Sequence, residues 1–246
     1  MSTIDVEFDF QQEAGLDRAG VQRDSDKYSP TLQEYHRILW SKPLPNGKMF
    51  DLTKISSNRL FHKSELGEFY LSSDRAIATF SSWVKMKHII DQIPAKELKD
   101  FIRLTDTIGG IVIWPSNKIN GFQTINGARG FNRQIVDRLD LTIECIRRYY
   151  LGESSPLYDA FARYNDFFQL FDDFKGYIDF FLLQDYVTED YMSVKIAEPF
   201  DDFRSTPIPK TVDEYLSYMN MTSELIKLRN QRIENTLTFD DLVEEV

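Results

Sequence analysis

The segment 174–186 constrains the fold more than any other part of the sequence, because apolar residues lie on nearly every side of its helical pattern. Its large apolar residues are Tyr177, Ile178, Phe180, Phe181, Leu182 and Leu183. A helix of this kind is typical of a protein interior, since on a surface it would expose large apolar side chains to water. We therefore predict that this helix lies at the centre of a core that other elements surround.

Local sequence signals predict several further helices. Ser29 followed by Pro30 is typical of an N-cap and the first helical residue. Thr211 and Glu214 have the spacing of a capping box before a last long helix. The pair Ser73-Asp74 predicts the cap of another helix that runs to about residue 90.

A strand signal interrupts the helical patterns. The apolar run 108–114 (IGGIVIW) precedes Asn120-Gly121, a pair typical of a tight hairpin turn, and residues 122–125 then resemble a returning strand. A helical stripe follows, from about residue 131 to residue 150. Together these patterns predict an α+β fold that is predominantly α-helical, with a small antiparallel sheet that includes a hairpin near residues 108–126.

The length of 246 residues fits one large domain, and we find no convincing linker. We predict a single globular domain over residues 1–246. Residues 1–28 are predicted to form an irregular N-terminal arm, because their second half is polar and contains two glycines. Residues 238–246 form an acidic tail.

The charge balance excludes some partners. The chain has 29 Lys and Arg residues against 39 Asp and Glu residues, a net charge of −10. A surface of this sign repels the phosphate backbone, so we expect no non-specific DNA binding. Cys145 is the only cysteine, which fits a reducing compartment. The first ten residues lack a signal-peptide pattern, and no apolar run is long enough to span a bilayer, so we predict a cytoplasmic protein without membrane contact.

The segment 126–133 (NGARGFNR) is the strongest candidate for a binding site. In the predicted fold it joins the hairpin to the start of a helix, where backbone N–H groups attract anions. Arg129 and Arg133 are four residues apart and can lie on one side of that helix start, and Asn126 and Asn132 add amide groups. We predict a pocket for a phosphate-bearing small molecule or an RNA end. The alternative is a turn followed by a helix with ion pairs to Asp137, Arg138 and Asp140.

Catalytic candidates are weaker than the binding candidates. Glu144, Arg147 and Arg148 lie at the end of the predicted helix and could contribute to an active site. Alternatively, the two arginines only stabilise the negative end of the helix dipole. The three histidines, His36, His62 and His88, lack the spacing of a metal motif. Cys145 reads as a buried thiol, and no cofactor motif is evident.

Several strings together resemble a known but uncharacterised domain of bacteria and their phages. They are the strings at 28–32 (YSPTL), 39–47 (LWSKPLPNG), 64–69 (SELGEF), 107–110 (TIGG), 125–130 (INGARG), 144–148 (ECIRR) and 151–157 (LGESSPL). The resemblance spans roughly residues 28–203. It implies a bacterial or phage origin and brings no activity with it.

Two functional hypotheses follow. The first is a ligand-binding or catalytic domain with the anion pocket described above. The second is a non-catalytic interaction module, acting in conflict between bacteria and phages, whose acidic surface binds a basic protein partner.

Overall fold

In the computed structural model, the structure describes residues 4–54 and 59–243, with side chains as far as residue 236. The α-helices are α1 (Phe10–Ala14), α2 (Ser25–Tyr28), α3 (Pro30–Trp40), α4 (Lys87–Ile90), α5 (Ala95–Thr105), α6 (Ile125–Phe131), α7 (Leu139–Tyr150), α8 (Tyr158–Ala162), α9 (Asn165–Phe168), α10 (Phe174–Phe180) and α11 (Val212–Val243). The strands are β1 (Lys42–Pro43), β2 (Met49–Phe50), β3 (Thr53–Lys54), β4 (Leu60–Ser64), β5 (Gly67–Arg75) and β6 (Ile111–Pro115). Short 3₁₀ turns occupy Val84–Met86, Ile108–Gly110, Gln169–Phe171 and Gln184–Tyr186.

The larger sheet is antiparallel, with the order β3-β4-β5-β6. Strand β5 is the longest, and its two neighbours cover different parts of it. Strand β4 pairs with residues 67–71, whereas β6 pairs with residues 71–75. On the side of β5 that faces β4, residues 72–75 therefore have no neighbouring strand among the described residues. Strands β1 and β2 form a separate two-stranded sheet.

The helix predicted over 174–186 is confirmed only for its first half, as α10 (Phe174–Phe180), and the chain leaves the helix at residues 181–183 before the 3₁₀ turn Gln184–Tyr186. The six large apolar residues of the segment, from Tyr177 to Leu183, are all buried. Aromatic rings surround them: Tyr177 and Phe181 contact each other at 4.9 Å between ring centroids, and both contact Phe171. The Tyr177 hydroxyl also accepts a hydrogen bond from Trp114 Nε1 at 2.9 Å, which joins the segment to β6. A buried aromatic side chain removes about 150–250 Å² from water, so these rings contribute a large share of the apolar area of the core.

Helix α11 closes the other side of the core and binds segments far away in the chain. Tyr215 and Tyr218 donate hydrogen bonds from their hydroxyls to backbone carbonyls of residues 78–79, each at 2.8 Å. Asn230 accepts the N–H of Gly109 through its side-chain oxygen at 2.7 Å. These bonds satisfy buried backbone groups next to β5 and β6, so the helix completes the sheet's hydrogen bonding as well as its packing.

Two of the three predicted capped helix starts are confirmed. Ser29 Oγ accepts the N–H of Leu32 at 3.1 Å, and Pro30 begins α3. Thr211 Oγ1 accepts the N–H of Glu214 at 3.1 Å at the start of α11. Each side-chain oxygen satisfies an N–H group that has no partner within its helix.

The predicted fold class is wrong in the proportion of helix to strand. The fold is α+β, but 47% of the chain is helical and two antiparallel sheets of two and four strands accompany the helices, so it is not predominantly helical. The sequence patterns underestimated the strands because β1, β2 and β3 have only two residues each among the described elements. Strands that short carry no alternation of polar and apolar residues.

The predicted hairpin near residues 108–126 is also wrong. Strand β6 does form at 111–115, but it pairs with β5, and the returning segment begins helix α6 at Ile125. Thr124 caps that helix by accepting the N–H of Gly127 at 3.2 Å. Ser73-Asp74 likewise caps no helix, because both residues lie in β5.

The two ends of the chain carry predictions of their own. Helices α1 and α2 lie within the predicted irregular arm 1–28, and residues 1–3 lie outside the described residues. In the predicted acidic tail 238–246, the backbone is helical up to Val243, and the last three residues lie outside the described part of the chain.

Candidate functional site

A cleft with a volume of about 700 Å³ lies over the open edge of β5. This volume is in the range of small-molecule binding sites. Its walls come from α2, the end of β5 and the start of α6. The lining residues are Asp24, Asp26, Lys27, Tyr28, Arg59, Ser72, Ser73, Asp74, Ser116 and Asn126. We call this site the β5 cleft.

Asp26 takes the position that a neighbouring strand would otherwise occupy. Its Oδ1 accepts the backbone N–H of Ser73 at 2.8 Å and the Ser73 hydroxyl at 2.7 Å. Burial raises the pKa of Asp26, although the two bonds from Ser73 oppose that effect. Asp26 therefore holds α2 against the open edge of β5 and presents to the cleft a carboxyl group whose pKa is raised.

The buried side chain of Arg129 holds the Asp74 carboxylate in position. The Arg129 side chain is 0% exposed, and its NH1 nitrogen donates to Asp74 Oδ2 at 2.8 Å. Its NH2 nitrogen donates to Asp137 Oδ1 at 2.8 Å, and its Nε donates to Thr142 Oγ1 at 3.0 Å. The guanidinium also lies over the ring of Trp114, 4.5 Å from its centroid. Arg129 thus acts on the cleft only through Asp74.

The two carboxylates on Arg129 are not equivalent to free aspartates. Burial raises the pKa of Asp74, and it raises the pKa of Asp137 to about 6 even though Arg129 opposes the rise. The charge of Asp74 contributes to the rise at Asp137. Asp137 and the β-branched Val136 before it have φ values of +63° and +46°, a conformation that few such residues adopt. Backbone strain of this kind concentrates at sites that must hold a fixed geometry.

The structure separates the four predicted ligand-binding residues. Asn126 lines the β5 cleft, where its Nδ2 donates to Ser72 Oγ at 3.3 Å and its buried Oδ1 has no partner among the described residues. Arg129 lies beneath the cleft, in α6 itself and not in a loop before a helix. Asn132 is bonded to the backbone of Gln134, and Arg133 is exposed outside the cleft lining.

The weak catalytic candidates form an ion-pair network at the end of α7. Glu144 accepts hydrogen bonds from Arg147 Nε at 2.8 Å and from Arg148 Nε at 2.8 Å. Arg148 also pairs with Asp202, and Arg147 lies 3.8 Å from Glu153. Burial alone would raise the pKa of Glu144, but the two arginines bring it below its usual value. These charges compensate one another, as in a structural network.

Of the three residues named in the structural alternative, Asp137 forms an ion pair with Arg129. Arg138 and Asp140 form an ion pair of 2.5 Å with each other. Both are buried, and Arg138 also donates to the carbonyls of Pro199 and Pro207. Asp140 accepts the N–H of Ala197 at 3.0 Å. The pair therefore fixes the segment 197–207 to the start of α7.

The histidines and the cysteine stand apart from the cleft. His36 and His62 are buried, and burial lowers both pKa values. Burial raises the pKa of Cys145 to about 12, so its thiol is unreactive at neutral pH. Among the side chains that the structure describes, those of residues 4–54 and 59–236, no group of three or more His, Cys, Asp or Glu residues has a geometry suited to a metal ion.

Sequence reasoning missed the acids of the cleft. Asp24 and Asp26 fell in the predicted irregular arm, and Asp74 was read as part of a helix cap. One signal was present: Ser72, Ser73 and Asp74 place three consecutive polar side chains after the apolar alternation of β5. Such a run at a strand end is a common position for binding residues.

Comparison with known proteins identifies the family of the chain. The chain belongs to the DUF6994 family, a family of unknown function, whose model matches residues 4–233. Comparison with curated proteins and with solved structures gave no match. Among the described helices, none combines the length and the apolar character needed to cross a membrane.

Proposed function

We propose that the β5 cleft binds a ligand through the hydroxyl groups of a sugar ring, either in a saccharide or in the ribose of a nucleotide. The observation that carries the proposal is the pair Asp26 and Asp74. Both line one cleft, and each is held in place by hydrogen bonds of 2.7–2.8 Å. A carboxylate has about four acceptor positions, so each keeps positions for ligand hydroxyls.

The charge of the cleft favours a ligand of this class over a free anion. Three carboxylates, those of Asp24, Asp26 and Asp74, line it. Lys27 and Arg59 line it as well, and Lys27 Nζ lies 3.3 Å from Asp24 Oδ2. Arg129 lies beneath Asp74 but is shared with Asp137, so three positive groups face four carboxylates. A site that is rich in acceptors and has a slight excess of negative charge does not concentrate phosphate, and it suits neutral hydroxyl groups.

Tyr28 adds an apolar surface to the rim of the cleft. Its side chain is 51% exposed, although the Arg23 guanidinium lies 5.0 Å from the ring centroid. An exposed ring of this kind can pack on a base or on the C–H face of a sugar. The cleft thus offers carboxylates that can accept hydrogen bonds from sugar hydroxyls and an aromatic ring that can pack on the sugar or on its base.

The narrower prediction of a phosphate pocket on Asn126, Arg129, Asn132 and Arg133 needs a modified form. Of these residues only Asn126 lines the cleft, so a phosphate group would have to contact Lys27 and Arg59. A nucleotide could satisfy both requirements, with its ribose on Asp26 and Asp74 and its phosphate at the two basic residues.

A thermal-shift series tests the proposal. Monosaccharides, oligosaccharides, nucleosides, nucleotides and inorganic phosphate are each added to the purified chain. A ligand at 100 times its Kd stabilises the folded state by about 2.7 kcal/mol, which raises Tm clearly. Asp26→Asn and Asp74→Asn should abolish the shift, whereas the exposed Asp166→Asn, outside the cleft, should keep it. Stabilisation by phosphate alone, unaffected by Asp26→Asn, would contradict the proposal in favour of an anion site.

The second candidate is an interaction module that binds a basic protein. The net charge of −10 supports it. The exposed rings of Phe122, three residues before α6, and of Phe131, the last residue of α6, support it as well, since they are 59% and 79% exposed. A partner held by charge should be released as salt rises from 0.05 to 0.5 M, roughly the range over which screening becomes complete. A bacterial or phage cytoplasm is the setting we propose for either function, from the resemblance and the single cysteine.

A further inference from the structure

Arg229 of α11 is a fully buried cation whose hydrogen bonds end on backbone carbonyls. Its NH1 nitrogen donates to Gly109 O at 3.1 Å and to Ile111 O at 2.9 Å, and its NH2 nitrogen donates to Phe181 O at 3.1 Å. Asp185 interacts electrostatically with Arg229, but its carboxylate forms an ion pair of 2.8 Å with Arg232 instead. Burial lowers the pKa of Arg229 to about 10, so it stays positive at neutral pH.

A buried charge without a counter-ion is costly, so proteins normally pair it. Among the described residues, Arg229 has carbonyl partners but forms no ion pair with a carboxylate. Its Nε is buried and has no hydrogen-bond partner in the described part of the chain. One N–H of the guanidinium therefore remains available to an acceptor.

His36 of α3 supplies a second donor beside this cation. Its Nδ1 accepts the indole N–H of Trp40 at 3.1 Å, and the Arg229 guanidinium lies 6.0 Å from the Trp40 ring centroid. Burial, with the charge of Arg229, lowers the pKa of His36 to about 3, so the ring is neutral. Since Nδ1 is the acceptor, the single proton is on Nε2, which is buried without a partner in the described residues.

Tyr186 supplies a third donor. It is 1% exposed, and its hydroxyl has no hydrogen-bond partner among the described residues. Tyr186 lies five residues after Phe181, the residue whose carbonyl accepts a hydrogen bond from Arg229. It also interacts electrostatically with the Arg229 guanidinium. Burial raises the pKa of Tyr186 well above its usual value, so the hydroxyl keeps its proton.

We infer that Arg229 Nε, His36 Nε2 and the Tyr186 hydroxyl donate to one small monovalent anion, of the size of chloride, inside the protein. All three groups have a proton to donate, and one of them is charged, so the acceptor that best satisfies them together is an anion. A water molecule would satisfy the hydrogen bonds but would leave the charge of Arg229 uncompensated. This site is independent of the β5 cleft, which lies at the surface and is lined by other residues.

The test uses bromide as the probe, because it scatters anomalously. The full chain is unfolded, refolded in sodium bromide or in sodium gluconate at equal ionic strength, and melted. At 100 times Kd, bromide should shift the folding equilibrium about 100-fold and raise Tm by roughly 5–10 °C relative to gluconate. Crystals grown in bromide should show an anomalous peak within hydrogen-bond distance of Arg229 Nε.

Two tyrosine variants separate the anion site from general effects of salt. Tyr186→Phe removes one donor and should weaken bromide binding roughly tenfold or more. Tyr218→Phe is the matched control, because Tyr218 is also buried but its hydroxyl donates to Ala78 O. It should lower Tm while leaving the bromide effect intact. Equal Tm values in bromide and gluconate without an anomalous peak would overturn the inference, as would an equal loss of the bromide effect in both variants.

Discussion

Asp74 and Asp137 bind different terminal nitrogens of one buried guanidinium, that of Arg129, at 2.8 Å each. Two carboxylates thus depend on a single cation, and only one of them, Asp74, lines the β5 cleft. Any change at Arg129 or Asp137 therefore alters the group that we expect to contact the ligand.

Replacing Arg129 should destabilise the protein strongly. Arg129→Met removes the cation and leaves two partly buried carboxylates facing each other, a change that typically costs about 3 kcal/mol. Urea denaturation measures the loss. Arg133→Met, at an exposed residue, should change stability by less than about 0.5 kcal/mol. Adding Asp74→Asn and Asp137→Asn to Arg129→Met should recover part of the loss; no recovery would show that packing on Trp114 dominates.

The raised pKa of Asp137 predicts a specific pH dependence of stability. The folded chain keeps the proton up to about pH 6, whereas the unfolded chain releases it near the ordinary pKa of 3.8. The contribution of this group is therefore fully present below pH 3.8 and is lost as pH rises through 6. Because the side chain is 37% exposed, we expect a change on the order of 1 kcal/mol.

Asp137→Asn should remove that dependence, since an amide does not titrate. Free energies of unfolding of both proteins, measured between pH 3.5 and 7, should then differ most in slope between about pH 4 and pH 6. Groups with lowered pKa values, such as Glu144, act in the opposite direction but equally in both proteins. Parallel pH profiles would mean that Asp137 has an ordinary pKa.

Two glycines should respond to alanine in opposite ways. A Cβ at Gly176 would lie 2.1 Å from the carbonyl oxygen of Phe171, so Gly176→Ala should destabilise the protein by about 1–3 kcal/mol. Gly130 lies in α6 with nothing within 4 Å of its Cβ position, so Gly130→Ala should stabilise by about 0.5 kcal/mol. Thermal unfolding of the two variants provides the comparison.

Tyr28 should matter for binding and little for stability. Its half-exposed ring makes few core contacts, so Tyr28→Ala should lower stability by less than about 0.5 kcal/mol. Loss of stacking should weaken a sugar-containing ligand by about 1–3 kcal/mol, roughly tenfold or more in Kd by calorimetry. Phe131→Ala removes an exposed ring outside the cleft and should leave Kd unchanged.

The parts of the fold that the sequence predicts are those with local causes. The segment 174–186 and the caps at Ser29 and Thr211 depend on residues a few positions apart. Strand β5 was missed at Ser73-Asp74 because a hydroxyl and a carboxylate can satisfy N–H groups at a helix start or at a strand edge. Here the decisive partner of Ser73 is Asp26, which lies 47 residues earlier.

The candidate site shows the same limit. Arg129 was predicted to bind a ligand because an arginine near a helix start often does so. Its actual partners are Asp74, 55 residues away, and Asp137. Single-sequence patterns do not report such pairings, so they identified the segment that forms one wall of the cleft but not the acids that line it.

The contacts of α11 have a consequence for the order of protein synthesis. The carbonyls of residues 78, 79 and 111 and the N–H of Gly109 form hydrogen bonds with side chains of residues 215–230, more than 100 positions later. In a chain growing on the ribosome, these backbone groups therefore lack those partners until α11 has left the exit tunnel. The complete core cannot form before that point, and the aromatic-rich segments that emerge earlier expose apolar surface during the interval.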